Sequence, residues 1–220
     1  GNYPDPLKAA LIAEHSGADS ITIHLREDRR HIRDNDLRII KQKIQIPLNL
    51  EMAPTKEMLK VALRHKPNYV CIVPEKRAEV TTEGGLNLYR KKQFLKKVIN
   101  ILKKNNIRVS LFVDPNISDI ALSKKFGADC VEIHTGKYCN LYNNKKRTKS
   151  EFLRIKKSAT FADKIGLEAH AGHGLNYKTA YMISRIKHIS ELNIGHFIIA
   201  ESIFISLKNS IMRFKNIINN

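Results

Sequence analysis

Short apolar runs recur along the chain, and each ends in a residue that can ionise or hold a proton. They read Ser20-Ile-Thr-Ile-His24, Ile46-Pro-Leu-Asn-Leu-Glu51, Cys130-Val-Glu132-Ile-His134, Gly166-Leu-Glu-Ala-His170 and Glu191-Leu-Asn-Ile-Gly195-His196. Runs of this length read as strands buried on both faces, which is what a parallel sheet requires. Strand ends are expected near His24, Glu51, Pro74, Val113, His134, His170 and His196. Helical patterns fill the intervals, with starts expected near Pro6, Asp36, Thr55, Leu88, Ile117, Ser150, Tyr177 and Phe204, several behind a capping Ser, Thr, Asp or Asn. Strict alternation of strand and helix predicts a (β/α)8 TIM barrel, whose active site sits at the C-terminal mouth. Eight helices against seven strands predict that the first strand, due before Pro4, is missing, with truncation at the N-terminus as the expected cause.

The chain also repeats itself. Gly17-Ala18-Asp19-Ser20-Ile21-Thr22-Ile23-His24 matches Gly127-Ala128-Asp129-Cys130-Val131-Glu132-Ile133-His134, an offset of 110 residues. That is four βα units of roughly 25–30 residues each. A favourable Gly-Ala-Asp connector explains the turn, but not why both copies run on to Ile-His. No linker or low-complexity stretch interrupts the alternation, so residues 1–220 read as one barrel domain. Two connections exceed the ~2–6 residues usual for βα loops. One runs from Pro74 to Gly85 and carries Thr81, Gly84 and Gly85; the other runs from Thr135 to Lys149. Both are expected as candidate lids over the mouth.

Composition narrows the function. A length of 220 residues is enough for a proper core, and no apolar stretch approaches the ~20 residues of a membrane span. The opening Gly1-Asn2-Tyr3-Pro4-Asp5-Pro6 reads as a turn into a helix rather than a secretory leader. Cys71, Cys130 and Cys139 form no Cys-x-x-Cys pair, which fits a reducing cytoplasm without a disulfide frame or structural zinc. The net charge of +18 raises nucleic acid as a partner. However, Lys91, Lys92, Lys96, Lys97, Lys103 and Lys104 interleave with Phe94, Leu95, Val98, Ile99 and Leu102 as the solvated face of one helix. The basic block from Asn143 to Lys149 has no interleaved aromatics on which bases could stack. Small phosphorylated substrates are the more economical reading, with neither nucleic acid nor membrane as partner.

The strand ends supply the chemistry. His24-Leu-Arg26-Glu27-Asp28-Arg29-Arg30-His31 gathers arginines, which grip phosphate with a planar fork, and histidines, which shuttle protons near neutral pH. Glu51, held in an apolar mouth, is expected to have a raised pKa suited to a general base. His170-Ala-Gly172-His173-Gly174-Leu-Asn176 and Ile194-Gly195-His196 end the last two strands, where barrels commonly bind phosphate on backbone amides. A metal is the competing reading, with His170 and His173 at i, i+3 and His134 and His24 nearby. A His-x-His strand and an evident third ligand are both lacking, so no metal is expected. His15, His65 and His188 fall on or near helices and read as structural or exposed.

Taken together, these segments resemble the pyridoxine 5′-phosphate synthase family. The resemblance is carried by Tyr3-Pro-Asp-Pro6, the stretch His24 to His31, Asn49-Leu-Glu-Met52, Val73-Pro-Glu-Lys-Arg77, Glu79-Val-Thr-Thr-Glu-Gly-Gly-Leu86, Val109-Ser-Leu-Phe112, Glu132-Ile-His-Thr-Gly136, Ala171-Gly-His-Gly-Leu175 and Glu191 to His196. It implies a barrel enzyme, without metal or organic cofactor, that condenses 3-amino-2-oxopropyl phosphate with 1-deoxy-D-xylulose 5-phosphate. It further implies His24 and Glu51 as proton acceptors, His173 as proton donor and Glu132 as a transition-state stabiliser. Arg26, His31 and Thr81 would hold the deoxyxylulose phosphate; Gly174, Gly195 and His196 would hold the other substrate. A homo-oligomer, an octamer, is implied as well. Two departures stand out: the family's opening Asn-x-Asp-His strand is absent, and Glu201 stands where many members carry arginine. The rival readings are a sugar-phosphate isomerase, which needs only one phosphate site, and an RNA-binding barrel.

Overall fold

The computed structural model describes residues 3–75 and 84–219. Thr81 and most of the Pro74–Gly85 connection therefore lie outside the described residues. In chain order the elements are α1 (Pro6–His15), β1 (Ile21–His24), α2 (Asp34–Lys43), β2 (Leu48–Met52), α3 (Lys56–His65), β3 (Tyr69–Ile72), α4 (Lys92–Lys104), β4 (Arg108–Val113), α5 (Ile117–Phe126), β5 (Cys130–His134), α6 (Gly136–Asn143), α7 (Lys149–Lys164), β6 (Glu168–Gly172), α8 (Tyr177–Ser184), β7 (Glu191–Asn193), α9 (His196–Ile205) and α10 (Leu207–Asn219). Seven strands pair in sequential order, and all six ladders are parallel. This is the (β/α)8 pattern with seven of its strands among the described residues. The edges β1 and β7 share no ladder there, yet their side chains meet: Thr22 Oγ1 donates to Asn193 Oδ1 at 2.9 Å.

Side chains alternate across each strand, so one face looks outward to the helices and the other into the lumen. Ile21, Ile23, Leu48, Leu50, Met52, Val70, Ile72, Val109, Leu111, Val113, Val131 and Ile133 belong to the large core under the helices. Inside the barrel Cys71, Val73 and Phe112 form a small, separate apolar cluster. The central strands β2 to β6 are buried on both faces as expected, whereas β7 is half-buried throughout and β1 is half-buried on its inner face; that inner face is largely polar. At the N-terminal end Arg108 Nη2 donates to Glu168 Oε2 at 2.7 Å and lies over the Tyr69 ring, while His170 Nε2 pairs with Glu168 Oε1 at 2.8 Å. Burial opposes ionisation of Glu168, but the bonds from Arg108 and His170 outweigh it and hold its pKa at about 2.

Both copies of the repeat turn alike. Gly17 and Gly127 follow α1 and α5 with φ of +93° and +90°, a conformation only glycine adopts at no steric cost. The copies form β1 and β5, four strands apart, as the offset requires. α4 buries Leu95, Val98, Ile99 and Leu102 and leaves its lysines in solvent.

The structure corrects three expectations. The Thr135–Lys149 connection is not a long loop: it contains α6, anchored by buried Tyr138 and Cys139, with Tyr138 packed on Phe152. The last helix is two, broken at Ser206, whose φ of +74° interrupts the helical path. The strands expected to end at His170 and His196 end at Gly172 and Asn193. Among the described residues no helix is long and apolar enough to cross a membrane. Leu111→Ala, at a fully buried outward position of β4, should cost about 2–5 kcal/mol. Urea unfolding at constant m-value measures it.

Candidate active site

Parallel strands deliver their C-terminal ends to one mouth, and the register sets which residues meet there. His24 pairs with Glu51, Glu132 with His170, His134 with Gly172, and Gly172 with Asn193. On one side His24 Nδ1 lies 3.7 Å from Glu51 Oε2, and its Nε2 lies 3.7 Å from Glu75 Oε2. Burial lowers the His24 pKa to about 4, with Arg26 and His31 adding repulsion. Burial raises Glu51 to about 7. Each group is thus moved toward its neutral form. Glu75 is raised by burial too; its Oε1 accepts the Glu27 amide at 3.0 Å and lies 3.7 Å from Arg26 Nε. Arg26 is itself buried, and His31 is exposed beside it.

Glu132 occupies the centre of the lumen. Asn193 Nδ2 donates to its Oε2 at 3.0 Å, and the Cys71 thiol approaches the same oxygen at 3.8 Å. Asn193 is steadied in turn by Thr22, which accepts from Asn49 Nδ2 at 3.3 Å. Burial, with Glu51 and Glu191 as like-charged neighbours, raises the Glu132 pKa well above the carboxylate range. Its Oε1 occupies space that a side chain at Gly172 would fill, so the glycine makes room for the carboxyl.

On the far side the β5 and β6 ends bring His134 and His173 together, with ring centroids 5.0 Å apart. His173 has φ of +78°, a strained conformation for a residue with a side chain. Buried Thr135 clamps it: the hydroxyl lies 2.7 Å from both the Gly172 and His173 carbonyls, and the Thr135 amide donates to Gly172 at 2.8 Å. Burial lowers the His173 pKa to about 4, with His134 and His196 contributing. Gly174 follows with φ of +79°, and Gly195 and His196 begin α9; all three are exposed at the mouth.

His24, Arg26, His31, Glu51, Glu132, His173, Gly174, Gly195 and His196 therefore all lie on strand ends or the segments that follow them, facing one opening. His170 does not join His173: its ring turns down to Glu168 and Glu191. Among the described residues no three His, Cys, Asp or Glu side chains converge as a metal site. Sequence reasoning missed Thr22, Asn49, Glu75, Asp114, Thr135 and Asn193. A stricter period-two reading would have found three of them, because Thr22, Asn49 and Asn193 stand two residues from His24, Glu51 and Glu191 on the same strand face.

Comparison with known proteins shows the family. The profile of the family described as "Pyridoxal phosphate biosynthesis protein PdxJ" matches residues 1–220. A pyridoxine 5′-phosphate synthase from Pelagibacter ubique is 52% identical over 217 residues, covering 99% of this chain and 91% of the relative. The synthase from Sulfurihydrogenibium sp. is 51% identical, covering 99% and 90%. Solved structures share the fold at low identity. A native KDPGal structure matches with a TM-score of 0.69 at 11% identity over 98% of this chain and 89% of that one. N-(5′-phosphoribosyl)anthranilate isomerase from Pyrococcus furiosus matches with a TM-score of 0.66 at 16% identity, over 97% and 94%. With a barrel mouth of tuned acids and bases, and half of its residues identical to those of such synthases along nearly its whole length, the chain belongs to the PdxJ family of enzymes that make pyridoxine 5′-phosphate.

Proposed function

We propose that the chain condenses 3-amino-2-oxopropyl phosphate with 1-deoxy-D-xylulose 5-phosphate and closes the ring to pyridoxine 5′-phosphate, releasing phosphate and water. The observation that carries the reading is the opposite tuning of Glu51, raised to about 7, and His24, lowered to about 4, face to face at 3.7 Å. Imine formation, enolisation, elimination and ring closure each move protons; burial leaves a neutral His24 free to accept one, and Glu51 changes charge near neutrality, where transfer costs least.

In this reading Glu51 and His24 accept protons. Glu132, protonated in the lumen, donates a hydrogen bond where negative charge develops on an oxygen. His173 returns a proton to a departing oxygen. A phosphate dianion bound beside His173 raises its pKa, so substrate binding itself loads the proton. Arg26 and His31 hold the deoxyxylulose phosphate, together with Thr81, which lies outside the described residues. Gly174, Gly195 and His196 hold the second phosphate; the positive φ at Gly174 and the first turn of α9 favour amides directed at an anion.

The direct test supplies both substrates and follows product by mass. Pyridoxine 5′-phosphate should form only when both are present. No product, or turnover of one phosphorylated sugar alone, would replace this reading with the isomerase.

Glu51→Gln should lower kcat by roughly 10²-fold or more, since it removes a base but keeps the shape. In the unsubstituted enzyme kcat/KM should rise with pH through about 7, where Glu51 ionises. Stability moves the other way. The folded pKa of about 7 exceeds the ordinary 4.5, so the native state favours protonated Glu51. That contribution is complete below the unfolded pKa and is lost as pH rises through about 7. The Gln variant should therefore gain about 3 kcal/mol on the parent between pH 4 and pH 8, read by urea unfolding at each pH.

Gly172→Ala tests the lumen. Its methyl would collide with Glu132 Oε1, so kcat should fall roughly 10²-fold, with substrate KM values little changed. Unchanged kcat in the folded variant would remove Glu132 from the mechanism.

A further inference from the structure

Asp114, the residue after β4, stands outside the machinery described so far. Its Oδ1 accepts twice, from the Gly85 amide at 3.1 Å and from His134 Nδ1 at 3.3 Å. The His134 bond is the main reason the Asp114 carboxyl titrates below the ordinary range. Arg154 steadies the same turn, donating from Nη2 to the Pro115 carbonyl at 3.2 Å. An ionised carboxylate can only accept hydrogen bonds, so it selects the His134 tautomer with its proton on Nδ1 and its lone pair on Nε2.

That lone pair has nowhere to go at rest. His134 Nε2 is buried and has no hydrogen-bond partner among the described residues. A buried polar atom left unpaired costs about 1–3 kcal/mol, and its persistence calls for an explanation. The surroundings supply one. A methyl group at Gly136 would lie 2.6 Å from His134 Nε2 and 2.8 Å from His173 Cδ2, so the bare backbone there lets both rings share one space. Phe112 sets its edge against both, at centroid distances of 5.2 Å and 6.4 Å, and confines them to it.

We propose that Asp114 and His134 are positioning residues for His173: Asp114 fixes the His134 tautomer, and His134 Nε2 accepts an N–H of the His173 imidazole, orienting that ring toward substrate. The inference rests on the reading of His173 as proton donor. A turn of the His173 ring about its side-chain bonds makes the contact, while its backbone stays clamped by Thr135. The order of the chain supports the arrangement, because His134 ends β5 while Asp114 and His173 directly follow its neighbours β4 and β6.

The test has an arm that needs no substrate. In the unsubstituted protein, nitrogen-15 NMR of the imidazoles should show His134 protonated at Nδ1, and in Asp114→Asn that preference should be lost. Protonation at Nε2 in the parent, or the same tautomer in both proteins, would overturn the proposal. In the kinetic arm, Asp114→Asn and His134→Gln should each lower kcat roughly tenfold or more, with KM for both substrates within about threefold of the parent. Unchanged kcat in variants that melt like the parent would also overturn it. If Asp114→Asn does not fold, His134→Gln and the parent tautomer still decide. Failure of the underlying reading looks different: the parent itself would make no pyridoxine 5′-phosphate.

Discussion

Burying a carboxyl inside the barrel is the constraint on which the other arrangements depend. Left ionised and unpaired in the lumen, Glu132 would cost several kcal/mol. The structure meets that cost twice over. Glu132 is driven toward its protonated form, and its Oε2 takes a hydrogen bond from Asn193. Asn193 in turn is held by Thr22, and Thr22 by Asn49, so a chain of small polar side chains spans β7, β1 and β2. The same contacts join the two edges of the sheet. The groups that satisfy a buried acid are thus also groups that bring the barrel toward closure.

Around that centre the mouth divides by charge. The His24 side concentrates Arg26, Glu75 and Glu51: Glu75 lies 3.7 Å from both His24 and Arg26, and Glu51 lies 3.7 Å from His24. The His173 side carries imidazoles and exposed glycines, with the Asp114 carboxylate behind them. Desolvation acts on both sides and pushes acid and base alike toward neutrality. A site of neutral donors and acceptors can take in highly charged phosphates and let the ligands set protonation. This suits a sequence of proton transfers better than a site with fixed charges.

Much of this was legible in the sequence, for a physical reason. Strand ends in a parallel barrel converge on one mouth, so His24, Glu51, Glu132 and His173 could be placed from the periodicity of their own segments. The supporting residues depend on three-dimensional neighbours and leave weaker marks. Asn193 looks like any polar residue in a short strand until Glu132, 61 positions earlier, is found beside it. Glu75 and Asp114 follow strands that end in Ile72 and Val113, with no ionisable residue to draw attention to the mouth. α6 escaped because its Gly136 start and its asparagines read as loop chemistry; buried Tyr138 and Cys139 decide otherwise.

The ion pair of Arg108 with Glu168, seated on Tyr69 and backed by His170, links β4 to β6 at the N-terminal end of the barrel, opposite the mouth. In the proposed reaction the substrates enter by the mouth, and what they release leaves by it. For the condensation proposed above, with two molecules in and phosphate and water out, this sets a queue. The partner that arrives first has to settle deep enough to leave the doorway passable, and each expelled piece must slip past the ligand still being transformed.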